Sequence, residues 1–443
     1  MSRITVVGAG LAGCEAAHTA ASFGIDVDLY EMKPVHKSPA HHSDDLAELV
    51  CSNSLRAASV ENAVGLLKEE LRRLGSVIME SADANAVPAG GALAVDRVGF
   101  SSYITEKIKN DPHITIINEE VEKVPQDGIA IIATGPLTDG ALYDDIMRIT
   151  GNSDLHFFDA AAPIVSLESI DMSKAFRQSR YGKGGDDYIN CPMNRDEYLA
   201  FYNALVSAER ADVKGFDKEI VFEGCMPIET MASRGEDTMR FGPLKPVGLT
   251  DPRTGEEPYA CLQLRQDDRA GTMYNLVGFQ TRLKWPEQKR VFGMIPGLEN
   301  AEFLRYGVMH RNTYINSPTL LNPHYEMRDI PGLFFAGQMT GVEGYIESTA
   351  SGFMAGLFAS LKVLGKEDLI EPDSDTVIGS MANYVSDSRL KNFVPMNANF
   401  GLVNPYPERF KGKDKKKQKN AAIAVRALAK VDAMAEIINS MRQ

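Results

Sequence analysis

Cysteine is scarce in this chain of 443 residues: there are five (Cys14, Cys51, Cys191, Cys225 and Cys261), widely spaced. An odd number with no C-x-x-C pair and no Cys/His cluster at zinc spacing argues against a disulfide scaffold and a structural metal site. It points to a reducing, cytoplasmic setting in which the thiols stay reduced. No apolar run reaches the ~18 residues that a membrane span needs. The opening "MSRITVVGAG" is a strand that starts within the first few residues, which leaves no room for a presequence. Excess positive charge is also missing, since the net charge is −13. That total weighs against a nucleic-acid partner, although phosphate contacts depend on local patches rather than on the sum. What remains is ordinary for a globular protein: 44% apolar and 24% charged residues, with length for about two to three domains around a sizeable core.

The segment Ile4 to Lys33, "ITVVGAGLAGCEAAHTAASFGIDVDLYEMK", carries the first chemical signal. Ile4 to Val7 is a β-rich run, and Gly8-Ala9-Gly10-Leu11-Ala12-Gly13 follows as G-x-G-x-x-G. An alanine-rich helix pattern runs to about Phe23, Gly24 ends it, and "DVDLYE" reads as a second strand closing on Glu31. The glycines permit a tight turn, close approach to a pyrophosphate and close helix–strand packing. The helix start offers free N–H groups and a partial positive charge to phosphates. Glu31, 23 residues after Gly8, stands where an acid accepts a hydrogen bond from an adenosine ribose. The pattern predicts dinucleotide binding, and a ligand-free glycine turn would leave Glu31 unexplained.

Two later segments favour FAD over NAD. "GIAIIATGP" (Gly128 to Pro136) is a buried strand ending in Thr-Gly135. The segment from Ile330 to Gly365 holds a strand ending in Ala-Gly337-Gln338 and then a helix with small residues, Ala350, Ser351, Gly352, Ala355 and Gly356, suited to close packing. A helix start there favours negative charge on a reduced flavin. The three-part arrangement resembles the glutathione-reductase-like FAD proteins. The fold class this implies is α/β: a Rossmann FAD-binding domain with a parallel sheet (1–136 and 326–443) and an inserted α+β substrate domain (137–325).

The remaining chemistry centres on cysteine, for which core packing is the ordinary role. Cys225, in "KEIVFEGCMPIE", follows a strand pattern and precedes Pro227, on a turn that can face a ligand. Cys51 precedes Ser52, Asn53 and Ser54, good helix-start residues. A helix start there would favour the thiolate. Cys191 reads as a loop residue, Cys261 shares a strand face with Gln263 and Arg265, and Cys14 reads as packing.

The stretches "LVCSNSLR", "FEGCMPIE", "MRFGPLKPVGL", "VGFQTRLKWPEQKRVF", "MHRNTYINSP" and "FAGQMTGVEGYIESTASG" together resemble the folate- and FAD-dependent tRNA (uracil-5-)-methyltransferases, the TrmFO family. The resemblance runs nearly end to end. It implies methylation of the T-loop uridine of tRNA (position 54 in tRNA numbering) to ribothymidine, with methylenetetrahydrofolate as carbon donor, tetrahydrofolate as product and FAD reduced by NADH or NADPH. It implies that Cys225 is the nucleophile for C6 of uracil and Cys51 a second active-site cysteine, with the two roles exchangeable. It also implies that His310 and Tyr345 line the folate pocket, although His310 reads equally well as a structural histidine. No metal is implied.

The sequence offers one basic segment to an RNA. From Glu408 to Lys430 there are nine Lys/Arg and two acids, 9 − 2 = +7, with Lys411, Lys413, Lys415, Lys416 and Lys417 at its heart. Such a patch neutralises phosphates and makes binding salt-sensitive; a solvated basic loop is the bland alternative. Three rival readings stay open: an MnmG-like enzyme acting on the wobble uridine, a small-molecule FAD oxidoreductase with no RNA substrate, and a flavin-bearing RNA-binding module without catalysis.

Overall fold

The computed structural model describes residues 3–38, 40–151, 156–211 and 226–442, with the backbone alone at 157–159, 310 and 311. Five parallel strands form the central sheet in the order Leu333–Phe335, Ile129–Ile132, Ile4–Val7, Val27–Tyr30, Ile114–Ile117. Their sequences (ITVV, IAII, ITII) are near-continuous β-branched runs, as suits strands covered on both faces. Strand order reverses at Ile4–Val7, which pairs with Val27–Tyr30 on one side and Ile129–Ile132 on the other. A ligand of an open α/β sheet binds at such a switch point, beyond the carboxyl ends of the strands.

Two helices cross behind that point. Leu11–Ala21 follows the first strand, and Tyr345–Leu364 follows the last. They pack through backbone. A Cβ on Gly352 would lie 2.2 Å from the Ala12 carbonyl oxygen, and one on Gly356 would lie 2.6 Å from that of Ala16. The small residues at these two positions therefore set how closely the helices approach. Gly365, at φ +63°, ends the second helix in the left-handed region that favours glycine.

A second, antiparallel sheet has the order Phe176–Arg177, Tyr188–Met193, Ala260–Gln266, Met273–Leu276, Ile164–Ser166, Phe303–Arg305. It has its own core, with Tyr198, Phe201, Phe279 and Phe292 among the buried side chains. The first core gathers residues from Ile4 to Ile146 and again from Ile315 to Ile438. A three-stranded sheet (Ser54–Ala57, Ala92–Val95, Ala86–Val87) and a strand pair (His156–Ala160 with Met309–Thr313) complete the β structure among the described residues. The C-terminal helix Lys415–Met441 packs on the helix Ala63–Leu74.

Two local expectations fail. Ser52 to Ser54 do not start a helix, and Ser54–Ala57 is a strand paired with Ala92–Val95. The polar side chains bond locally instead. Ser52 Oγ accepts from the Ser54 N–H at 3.0 Å and Ser54 Oγ from the Arg56 N–H at 3.1 Å, turns that compete with helix. Cys191 is no loop residue but the buried middle of Tyr188–Met193. The segment "KEIVFEG" lies outside the described residues.

Candidate active site

The carboxyl ends of the parallel strands converge on a groove lined by Gly8, Gly10, Glu31, Ala133 and Thr134. The three glycines of the motif differ in what surrounds them. A Cβ on Gly13 would stand 1.8 Å from the Gly8 carbonyl oxygen, and one on Gly8 would stand 2.7 Å from that of Ala133. Gly10 meets no atom within 4 Å and is exposed to the groove. Two glycines thus serve the fold, while the third keeps open a cradle that any side chain would fill. The helix Leu11–Ala21 begins there with no acid in its first turn, so nothing in that turn offsets its positive end. Glu31 is buried at the edge of the groove. Its Oε2 accepts from the Ala9 N–H at 2.9 Å and its Oε1 from the Lys33 N–H at 3.1 Å, which fixes the carboxylate at the end of the second strand. Each oxygen retains acceptor capacity for a ribose hydroxyl. The open cradle, the helix start and the fixed carboxylate fit the adenosine diphosphate half of FAD.

A second, larger cleft of about 330 Å³ shares the wall residue Leu137 with this groove. Cys51, Gln338, Gly344 and Tyr345 form part of its wall. Gly337, at φ +80°, donates its N–H to Ser351 Oγ at 2.7 Å and turns the chain so that Gln338 reaches the cleft. Gly135 is also at positive φ, and a Cβ there would meet no atom within 4 Å. Tyr345 is the first residue of its helix, and its hydroxyl accepts the Cys51 N–H at 2.8 Å. The structure thus brings together Cys51, Tyr345 and Gln338 across nearly 300 residues of sequence. A cleft of that size lies at the lower end of the ~300–1,000 Å³ typical of a small-molecule site.

Cys225 lies outside the described residues. The described chain resumes at Met226, and the Ile228 N–H donates to the carbonyl of Gln280, a wall residue of the same cleft. His310 is placed by its backbone alone, on the strand that pairs with His156–Ala160, opposite Asp159. Ala160, at the end of that pair, lines the cleft beside Cys51. Cys14, Cys191 and Cys261 are buried, which disfavours their thiolates. Burial pushes the Cys14 and Cys191 thiols well up and the Cys261 thiol to about 12.

Several residues in and behind the wall were not singled out from the sequence. Arg56, at φ +63°, lines the cleft and pairs with the fully buried Glu347, which also accepts the Ala398 N–H at 2.9 Å. Asn397 donates to the Glu343 carbonyl at 2.6 Å. Behind Cys51, Arg97 donates to the carbonyls of Leu49 and Cys51 and to Asp267. Arg265 donates to Ser52 and Asn53. Arg265 had a signal in its strand face with Gln263, and Arg56, Glu343 and Glu347 fall inside stretches that carry the family resemblance; Arg97, Asp267 and Asn397 depend on tertiary approach.

Lys411, Lys413, Lys415, Lys416 and Lys417 are all exposed. The last three open the C-terminal helix, whose first turn holds no acid. Cations at the positive end of a helix are unfavourable until an anion meets them. Lys417 has one ion pair, with Glu61 at 3.3 Å. Among the described residues no group of three or more His, Cys, Asp or Glu could hold a metal, and no helix is long and apolar enough to cross a membrane.

Comparison with known proteins agrees with this geometry. The family model described as glucose inhibited division protein A matches residues 3–367. The Aquifex aeolicus GidA crystal structure superposes with a TM-score of 0.69 at 17% identity, covering 99% of this chain and 74% of that one. That likeness shows the shared fold. The methylenetetrahydrofolate--tRNA-(uracil-5-)-methyltransferase TrmFO of Acetivibrio thermocellus is 63% identical over 425 residues, 96% of this chain and 97% of that protein. The Listeria innocua protein of the same name is 60% identical over 428 residues, 97% and 98% of the two chains. With that identity sustained over nearly the whole length, the chain belongs to the TrmFO family, within the wider group that the GidA model describes.

Proposed function

We propose that this chain transfers the one-carbon unit of methylenetetrahydrofolate to C5 of a uridine in tRNA. The observation that carries this reading is that the dinucleotide groove shares its wall residue Leu137 with a cleft lined by Cys51, Tyr345 and Gln338. Reduced FAD bound there would supply the electron pair that takes the carbon from the methylene to the methyl level, and NADH or NADPH would reduce the resulting FAD again.

The residues of the chain prepare the uracil. C5 is a poor nucleophile until a thiolate adds at C6, which places the π pair of the ring on C5 and O4. Cys225 is assigned that addition. Cys51 takes up the C5 proton or shields the carbon unit, and the two sulfurs remain exchangeable until tested. When the C5 proton has left and the methyl is formed, the C6–S bond breaks and the thiolate returns. Tyr345 and Gln338 orient what enters the cleft, and His310 and Tyr345 are assigned to the folate side. The base must leave its stack to present C5 and C6. The substrate is assigned as the T-loop uridine, held through phosphate contacts that include Lys411, Lys413, Lys415, Lys416 and Lys417.

The wobble-uridine reading has less behind it, because the relatives at 59–63% identity carry the uracil-5 name. The test is incubation of the FAD-loaded protein with unmodified tRNA transcript, methylenetetrahydrofolate and NADPH, followed by nucleoside analysis. Ribothymidine supports the reading. A second transcript with the T-loop uridine replaced by cytidine assigns the position.

A further inference from the structure

The segment after Cys51 is a strand rather than a helix, so its own chain brings no helix N–H groups to the sulfur. Two arginines converge there instead. Arg97, the first residue of the helix Arg97–Lys109, donates through Nη2 to the Cys51 carbonyl at 2.8 Å and through Nη1 to the Leu49 carbonyl. Its Nε and Nη2 also reach the two oxygens of the fully buried Asp267, at 2.6 and 3.2 Å. Arg265, two residues before Asp267 on the inserted sheet, donates to Ser52 Oγ at 2.7 Å and Asn53 Oδ1 at 3.1 Å. Asn53 in turn donates to the carbonyls of Val95 and Gln266, at 2.9 Å each. Each of residues 51, 52 and 53 is therefore tied to the end of one inserted strand or to the helix that faces it.

The charges around the loop are unbalanced. Arg97 is bonded to the Cys51 carbonyl and Arg265 lines the cleft with Cys51, which brings both positive charges to the neighbourhood of its sulfur. Burial works against both guanidinium charges. At Arg97 the Asp267 carboxylate outweighs burial and holds the group above its ordinary value, whereas burial prevails at Arg265. Arg305 adds a third cation that repels Arg97, and Glu48 faces Arg305 from the Cys51 side of the chain. The Tyr345 hydroxyl approaches from the long helix, and Glu343 and the Arg56–Glu347 pair line the rest of the cleft.

We propose that Arg97, Arg265 and Asp267 are positioning residues for Cys51: they clamp its loop from the inserted sheet, and the two arginines supply the field that favours its thiolate while Asp267 tempers that field. Arg265 replaces, from across the domain seam, what a helix start provides elsewhere. This deepens the proposed role of Cys51, but thiol reactivity is measurable without tRNA.

The test follows alkylation of Cys51 by iodoacetamide in the FAD-loaded protein, by peptide mass spectrometry, between about pH 5.5 and 9.5, a range that brackets the ordinary cysteine value. Arg265→Gln slows alkylation at pH 7 about tenfold, one unit in the midpoint of the rate–pH curve. Arg265→Lys keeps the charge and restores the midpoint, although it loses the fork to Ser52 and Asn53. Asp267→Asn moves the midpoint the opposite way, downward. A purely structural role would shift Arg265→Gln and Asp267→Asn alike, and that result, or an unmoved midpoint in either, overturns the proposal. If Arg265→Gln does not retain FAD, Arg265→Lys against Asp267→Asn makes the same comparison, with an unmoved Asp267→Asn midpoint decisive against it. Midpoints that respond in a protein that forms no ribothymidine would leave this device standing and remove the methyl-transfer reading.

Discussion

Single atoms decide the glycine motif. Gly10→Ala places a methyl in open groove, so the apoprotein keeps its stability within ~0.5 kcal/mol. Its FAD affinity, by fluorescence titration, falls on the order of tenfold or more. Gly13→Ala drives a methyl into the Gly8 carbonyl and destabilises the apoprotein in urea by ~3 kcal/mol or more. Equal loss of stability in both variants would contradict the division of labour between fold and ligand. Among the cysteines, Cys225→Ala retains FAD and loses ribothymidine together with any covalent RNA adduct. An adduct that persists in this variant transfers the role to Cys51. The motif from Gly8 to Gly13 and the acid at Glu31 were legible in the sequence because their geometry is local: strand, turn, helix, strand. The Arg97–Asp267 pair was not, because its partners are 170 residues apart and neither sits in a local pattern.

Elements show the same contrast between local and distant causes. The strands at Ile4–Val7 and Ile129–Ile132 could be read from their β-branched runs, and the close helix packing from the small residues at Gly352 and Gly356. The strand at Ser54–Ala57 could not, since Ser-Asn-Ser suits a helix start and a turn alike, and pairing with Ala92–Val95 decided between them. In the helix Ala63–Leu74, Lys68 is fully buried and donates to the Leu55 carbonyl at 2.7 Å, and burial lowers its value from 10.5 to about 7. Between about pH 7 and 10.5 the unfolded chain therefore binds the proton and the folded one does not, so stability rises with pH by up to ~1.4 kcal/mol per unit. Lys68→Met removes this slope, which denaturation at several pH values reads directly. At the start of the C-terminal helix, Lys415→Glu with Lys416→Glu places acids at the positive helix end and gains ~0.3–1 kcal/mol per site in helix stability. The same change weakens tRNA binding and reduces the salt slope by about one to two. Unchanged affinity at low salt would return the segment to a solvated basic loop.

For the molecule as a whole, the parallel sheet presents its strand ends to a dinucleotide, and the antiparallel sheet reaches across through Arg265 and Asp267 to hold Cys51 at the cleft. The acidic total of −13 gave no hint of an RNA substrate. The basic segment does, because its charge is concentrated on one exposed run of lysines. The most direct measurement is nucleoside analysis of unmodified tRNA transcript after incubation with the FAD-loaded protein, methylenetetrahydrofolate and NADPH. The account predicts ribothymidine that appears only when folate and reductant are both present and that vanishes in Cys225→Ala. Fully FAD-loaded protein that leaves every uridine unmethylated would contradict it.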